Sequence, residues 1–134
     1  MRKVLFLCTG NSCRSQMAEG FARALAPPGV EVFSAGVEAH GLNPRAVSVM
    51  AEAGVDIGEQ TSKTVAGIPS GEIDTVITLC GDASERCPVF PRAVLREHWP
   101  LADPARAEGP EEAVLEVFRS VRDELERRVR GLFS

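Results

Sequence analysis

The strongest constraint on this chain lies near its start. Residues 4–8, Val-Leu-Phe-Leu-Cys, are an unbroken apolar run with no polar alternation. Such a run belongs to a strand covered on both faces, the habit of parallel sheets. It stops against Thr9-Gly10-Asn11-Ser12, a loop of small and turn-forming residues. From Arg14 onward Met17, Ala18, Phe21, Ala22 and Leu25 recur at helical spacing. A buried strand, a short loop and a helix in direct succession open a β-α unit.

The rest of the chain follows the same pattern. Pro27-Pro28-Gly29 ends the helix, and residues 30–34 read as a second strand. Asn43-Pro44 is an N-cap followed by a first-turn proline, Gly54 is the stop, and Val47, Met50 and Ala51 form the stripe between them. Residues 75–79 and 94–99 predict third and fourth strands. Pro110-Glu111-Glu112 opens a last helix with Val114, Phe118, Val121, Leu125 and Val129 on one face, and Arg127, Arg128 and Arg130 near its negative end, before Gly131. The order predicts an α/β fold with one domain over residues 1–134. It is a three-layer sandwich, a four-stranded parallel sheet with helices on both faces. Ligands of such sheets bind beyond the carboxyl ends of the strands. Cys8 and Cys80 each end a predicted strand, so both thiols face one crevice if those strands are neighbours.

Charge and length exclude several functions. The 134 residues carry 19 acidic and 15 basic side chains, a net charge of −4, which speaks against a nucleic-acid partner. No apolar run approaches the ~20 residues of a membrane span. The first residues imitate a signal peptide, but the apolar run ends at Thr9, too early for one. The chain reads as cytosolic, where structural disulfides are rare. Cys8, Cys13, Cys80 and Cys87 are therefore the places to look for chemistry.

Cys8 is followed by five residues and then Arg14-Ser15. A loop of small residues can turn its N–H groups inward, and the helix after it adds its positive end. Arg14 offers a planar fork matched to two oxygens of a tetrahedral oxyanion. The same field favours Cys8 as a thiolate, to which Ser15 can donate. Residues Thr9, Gly10, Asn11, Ser12, Cys13, Arg14 and Ser15 are the candidate oxyanion cradle. No Gly-Lys-Ser/Thr follows, so this is not a nucleotide-binding P-loop.

Cys80 and Cys87 are separated by Gly-Asp-Ala-Ser-Glu-Arg. Zinc fails on spacing, since there is no C-x-x-C and the histidines are only His40 and His98. Two readings remain, inert buried cysteines or a thiol relay with Cys8 across a polar segment. Cys13 is given no redox step. Asp103-Pro104 reads either as a turn or as a general acid. His98 and Trp99 read as structural.

Cys8-x5-Arg14-Ser15 at the end of a first strand resembles the low-molecular-weight protein tyrosine phosphatase fold. The string Cys8-Thr-Gly-Asn-Ser-Cys-Arg-Ser-Gln-Met-Ala-Glu-Gly20 is similar to thioredoxin-coupled arsenate reductases on that fold. The likeness continues through Ser34-Ala35-Gly36, His40 to Pro44, Gln60-Thr61-Ser62, Thr78 to Ala83, Cys87-Pro88, His98-Trp99 and Asp103-Pro104. The resemblance implies reduction of arsenate, with phosphate as analogue, by Cys8, Cys80 and Cys87 in turn. It implies Asp103 as the general acid and thioredoxin as partner; no cofactor is expected, and a monomer is the default. The rival is a phosphatase, which has no need of Cys80 and Cys87. Some such reductases bind potassium through residues matching Asn11, Glu19, Ser34 and Thr61, with an aspartate two positions after the last. Here that position is Lys63, whose ammonium either takes the cation's place or repels it, so no metal is expected.

Overall fold

The computed structural model describes residues 2–80 and 95–134. Strands β1 (Arg2–Cys8), β2 (Val30–Gly36), β3 (Thr75–Thr78) and β4 (Leu95–His98) form a single parallel sheet in the order β2-β1-β3-β4. β1 and β3 are neighbours, with Leu7 opposite Thr78, as the shared crevice of Cys8 and Cys80 requires. Val4, Leu5, Phe6 and Leu7 are all fully buried, which matches a strand covered on both faces. β4 at the sheet edge is exposed throughout. Segment 81–94, with Cys87 in it, lies outside the described residues.

Helices α1 (Arg14–Leu25), α2 (Pro44–Glu52) and α3 (Glu111–Leu132) pack on one another. Asn43 caps α2, its Oδ1 accepting from the N–H groups of Arg45 and Ala46, and Gly54 takes the left-handed turn that ends the segment. The buried residues of α3 are Val114, Phe118, Val121, Leu125 and Val129, the face read from the spacing. The helix runs through Gly131 to Leu132, past the expected stop, because nothing there forces a left-handed residue. β2 also runs two residues beyond its expected end, to Gly36, since its last residues stay paired to Leu7 and Cys8.

α1 departs further from expectation. The spacing predicts an apolar stripe with a solvent face opposite. Instead every residue from Arg14 to Ala22 is buried, Gln16 and Glu19 included. Its polar face meets a second polar surface rather than water.

Candidate active site

The segment between β1 and α1 is shaped from outside by the chain that follows β2. Val37 N–H donates to Cys8 O (3.2 Å), Glu38 to Thr9 O (2.9 Å), His40 to Gly10 O (2.9 Å) and Asn43 to Ser12 O (3.1 Å). Gln16 Nε2 donates to Asn11 O at 3.1 Å, and Met17 N–H to Cys13 O at 2.9 Å. Every carbonyl from Cys8 to Cys13 is thus engaged. In a planar trans peptide the N–H points opposite to the C=O. The N–H groups of residues 9–14 therefore turn to the inner side of the loop, as an anion cradle requires.

Two close approaches make this possible. A Cβ on Gly36 would stand 2.2 Å from Glu38 O and 2.8 Å from Thr9 O, so only glycine lets the second segment cross the loop. A Cβ on Gly10 would meet His40 Nδ1 at 2.3 Å. Asn11 takes a left-handed backbone, φ 47°, which Asn tolerates better than most residues.

Asn11 is also the centre of a dehydrated polar network. Its Nδ2 donates to Ser15 Oγ (2.8 Å) and to Ser34 Oγ (3.0 Å). Its Oδ1 accepts from Lys63 N–H (2.9 Å) and Gln16 Nε2 (3.0 Å). Asn11, Ser15, Gln16 and Ser34 are fully buried. Each serine accepts from Asn11 and keeps its own proton for an anion. Ser34 donates to Glu19 Oε1 at 2.5 Å, while Ser15 Oγ lies 2.8 Å from Cys8 Sγ. One amide thus orients two hydroxyls, one toward a buried carboxylate and one toward the sulfur at the site.

The cavity above the loop has a volume of about 620 Å³, and Cys8, Cys13, Arg14, Cys80 and Asp103 all line it. Arg14 is buried. Its Nη1 donates to Leu101 O at 3.0 Å and its Nη2 lies 3.7 Å from Asp103 Oδ2. Asp103 fits both sequence readings at once. Its Oδ1 accepts from Ala105 N–H at 3.0 Å, closing a turn, while Oδ2 faces Arg14 and the cavity. Cys80 is 8% exposed and its Sγ lies 3.0 Å from Thr9 Oγ1. Cys8 and Cys13 are free thiols. Burial pushes the Cys13 thiol up to about 12, so it stays protonated and unreactive at neutral pH.

Of the expected site residues, Cys8, Thr9, Gly10, Ser12, Cys13, Arg14, Cys80 and Asp103 line one cavity, while Asn11 and Ser15 lie fully buried behind the loop; Cys87 lies outside the described residues. Trp99 is buried with its ring 5.9 Å from that of Phe6, and His98 Nδ1 pairs with Thr78 Oγ1 at 2.7 Å, both in structural roles. Sequence reasoning missed the contact of Thr9 with Cys80, the carbonyl of Leu101 and His40 at the cavity wall. It also missed the support of Gln60, whose Nε2 donates to Gln16 Oε1 at 2.8 Å. No local signal marks these contacts, because their partners are distant in sequence. Among the described residues no three His, Cys, Asp or Glu side chains are grouped to hold a metal ion.

The profile of the low-molecular-weight phosphotyrosine protein phosphatase family matches residues 3–134. The arsenate reductase of Bacillus licheniformis is 54% identical over 129 residues, 96% of this chain and 93% of that one. A solved arsenate reductase in an oxidized state superposes with a TM-score of 0.85 at 39% identity, covering 99% of this chain and 97% of the other. Another in a phosphate-binding state gives 0.78 at 40% identity with the same coverage.

Proposed function

We propose that this chain, which belongs to the low-molecular-weight phosphotyrosine protein phosphatase family and is an arsenate reductase within it, reduces arsenate through Cys8, Cys80 and Cys87 in turn. The loop holds three arsenate oxygens on its N–H groups and the Arg14 fork. Cys8 thiolate attacks arsenic and Asp103 gives a proton to the departing hydroxide, which leaves as water. The adduct is still arsenic(V). Cys80 thiolate then attacks Cys8 sulfur. A Cys8–Cys80 disulfide forms, and arsenic leaves with the electron pair of the S–As bond as arsenite, which takes protons from solvent. Two thiols are oxidised and arsenic gains two electrons. Cys87 attacks Cys80, frees Cys8, and leaves Cys80–Cys87 for an external dithiol protein, thioredoxin. The cycle needs a reducing compartment, so the enzyme works in the cytoplasm, as a monomer.

The observation that carries this reading is the Cys80 thiol lining the same cavity as Cys8, with Thr9 Oγ1 3.0 Å from its sulfur. A hydrolytic phosphatase uses one thiol and water. The loop suits phosphate equally, so weak phosphate-ester hydrolysis accompanies the main reaction. The test is a single turnover with arsenite counting and disulfide mapping. Cys80→Ser should release no arsenite. Cys87→Ser should release about one equivalent, trap Cys8–Cys80 and stall with thioredoxin. Sustained thioredoxin-coupled turnover by Cys87→Ser would sink the three-thiol relay.

A further inference from the structure

Beneath the loop, on the side away from the arsenate cavity, Glu19 carries a carboxylate that is 3% exposed. Buried charge is costly unless it is paired and hydrogen-bonded. Ser34 and Arg23 serve its two oxygens, Ser34 Oγ to Oε1 at 2.5 Å and Arg23 Nε to Oε2 at 2.7 Å. A third group stands beside it. Lys63 Nζ lies 4.0 Å from Oε1 and donates to Thr61 O at 2.6 Å. Burial strips water from this ammonium and lowers the Lys63 pKa, against the pull of Glu19.

The oxygens that would ligate a potassium ion here are already engaged. Asn11 Oδ1 takes Lys63 N–H and Gln16 Nε2, at 2.9 and 3.0 Å. Thr61 O takes Gln16 Nε2 as well as Lys63 Nζ, at 3.0 and 2.6 Å. Ser34 Oγ accepts from Asn11 Nδ2 at 3.0 Å and gives its proton to Glu19. An alkali ion would have to displace these donors and approach an ammonium and a guanidinium together. The residues present do not fit a metal.

We propose that Lys63 is a tethered cation. Its ammonium supplies the positive charge that Glu19 and the oxyanion loop require, so this chain holds its loop in shape without a bound monovalent ion. The path to the site is short. Glu19 receives Ser34, Ser34 receives Asn11, and Asn11 also orients Ser15 against Cys8. Lys63 is thus a positioning residue, two side chains removed from the loop.

The test reads anion binding and stability rather than turnover, so it stands apart from the reductase assignment. The thermal midpoint and the affinity for inorganic sulfate are measured in potassium chloride and in choline chloride at one ionic strength. The native protein should give the same values in both salts. Lys63→Arg should remain close to native. Lys63→Ala in choline chloride should lose about 4–8 °C and bind sulfate about tenfold more weakly, the weight of one charge-assisted hydrogen bond. Potassium should restore much of both, saturably, by entering the space the ammonium leaves. A saturable rise of the native midpoint or sulfate affinity with potassium overturns the proposal by itself, whatever the variants do. So does a Lys63→Ala protein that matches the native one in choline chloride.

Discussion

Two hydrogen-bond networks of this molecule use similar distances and do different work. One joins Asn11, Ser15, Ser34, Gln16 and Glu19 under the loop, with contacts from 2.5 to 3.0 Å. The other joins α2 to α3, where Arg119 reaches both oxygens of Glu52 at 2.9 Å and Glu112 at 2.7 Å, and Arg122 adds a bond to Glu52 at 2.9 Å. The first is buried, and its members are held by several fixed partners each: Asn11 by Ser15, Ser34, Gln16 and the Lys63 N–H, and Ser34 by Asn11 and Glu19. The second lies at the surface, its carboxylates open to water and its arginines half-buried, so it is screened by salt and able to exchange partners. Bond length says little about consequence; what the broken bond would face decides it. A broken bond in the interior leaves an orphaned donor or acceptor, while water replaces a broken bond on the surface.

The largest effect should come from the loop's buried arginine. Arg14→Lys keeps the charge and loses the fork held by Leu101 O, and both arsenate reduction and aryl-phosphate cleavage should fall by about 10²–10³-fold. Steady-state kinetics on both substrates check this, and a loss confined to one would detach Arg14 from the shared cradle. Next comes the hub. Asn11→Ala strands the hydroxyls of Ser15 and Ser34 and puts alanine in a left-handed turn, so urea unfolding should show a loss of about 2–4 kcal/mol. Asn11→Asp keeps the shape but removes the two N–H donors, and should harm activity more than stability.

Thr9→Val sharpens the contrast from the loop's rim. It removes the hydroxyl beside Cys80, so arsenite release should slow by about tenfold while aryl-phosphate cleavage stays within twofold or so of native. Equal losses in both would mean that Thr9 shapes the loop rather than Cys80.

The surface network should respond least. Arg119→Ala should lower the thermal midpoint only slightly in dilute buffer and not at all in high salt. Its pH signature is distinct. Hydrogen bonds from Arg119, then from Arg122, hold the Glu52 carboxyl down at about 2, below its ordinary value of 4.5. A depressed carboxyl stabilises the fold above its unfolded value and loses that contribution as pH falls toward the folded one. The stability gap between native protein and Glu52→Gln should therefore close as pH drops from about 5 to about 2.5. A gap that widened on acidification would refute the assignment.

The two networks were not equally legible in the sequence. The loop residues from Cys8 to Ser15 are contiguous, and spacing alone suggests their chemistry. The apolar face of α3 is periodic and was read in full. The Asn11 network has neither advantage. Its members come from β1–α1, β2 and the chain around Gln60 to Lys63, and Gln16 and Glu19 look like the wet side of an amphipathic helix. Polarity in one dimension cannot tell a residue that faces water from one that faces another polar group. Asp103 was ambiguous for a different reason: a turn-closing carboxylate and a proton donor call for the same residue, and here one oxygen closes the turn while the other faces Arg14 and the cavity.

The outward-turned carbonyls from Cys8 to Cys13 bear on how this protein can change by descent. The surface that first meets the substrate is largely main chain, and amide N–H groups are identical in every residue except proline. Side-chain changes at Thr9, Ser12 or Cys13 leave those N–H groups in place while the crossing at Gly36 holds. Heritable variation is steered instead toward what surrounds the bound anion, such as the thiol at position 80 and the groups after Pro104. A lineage could gain or lose an entire reaction there while its capacity to capture the anion passed on unaltered.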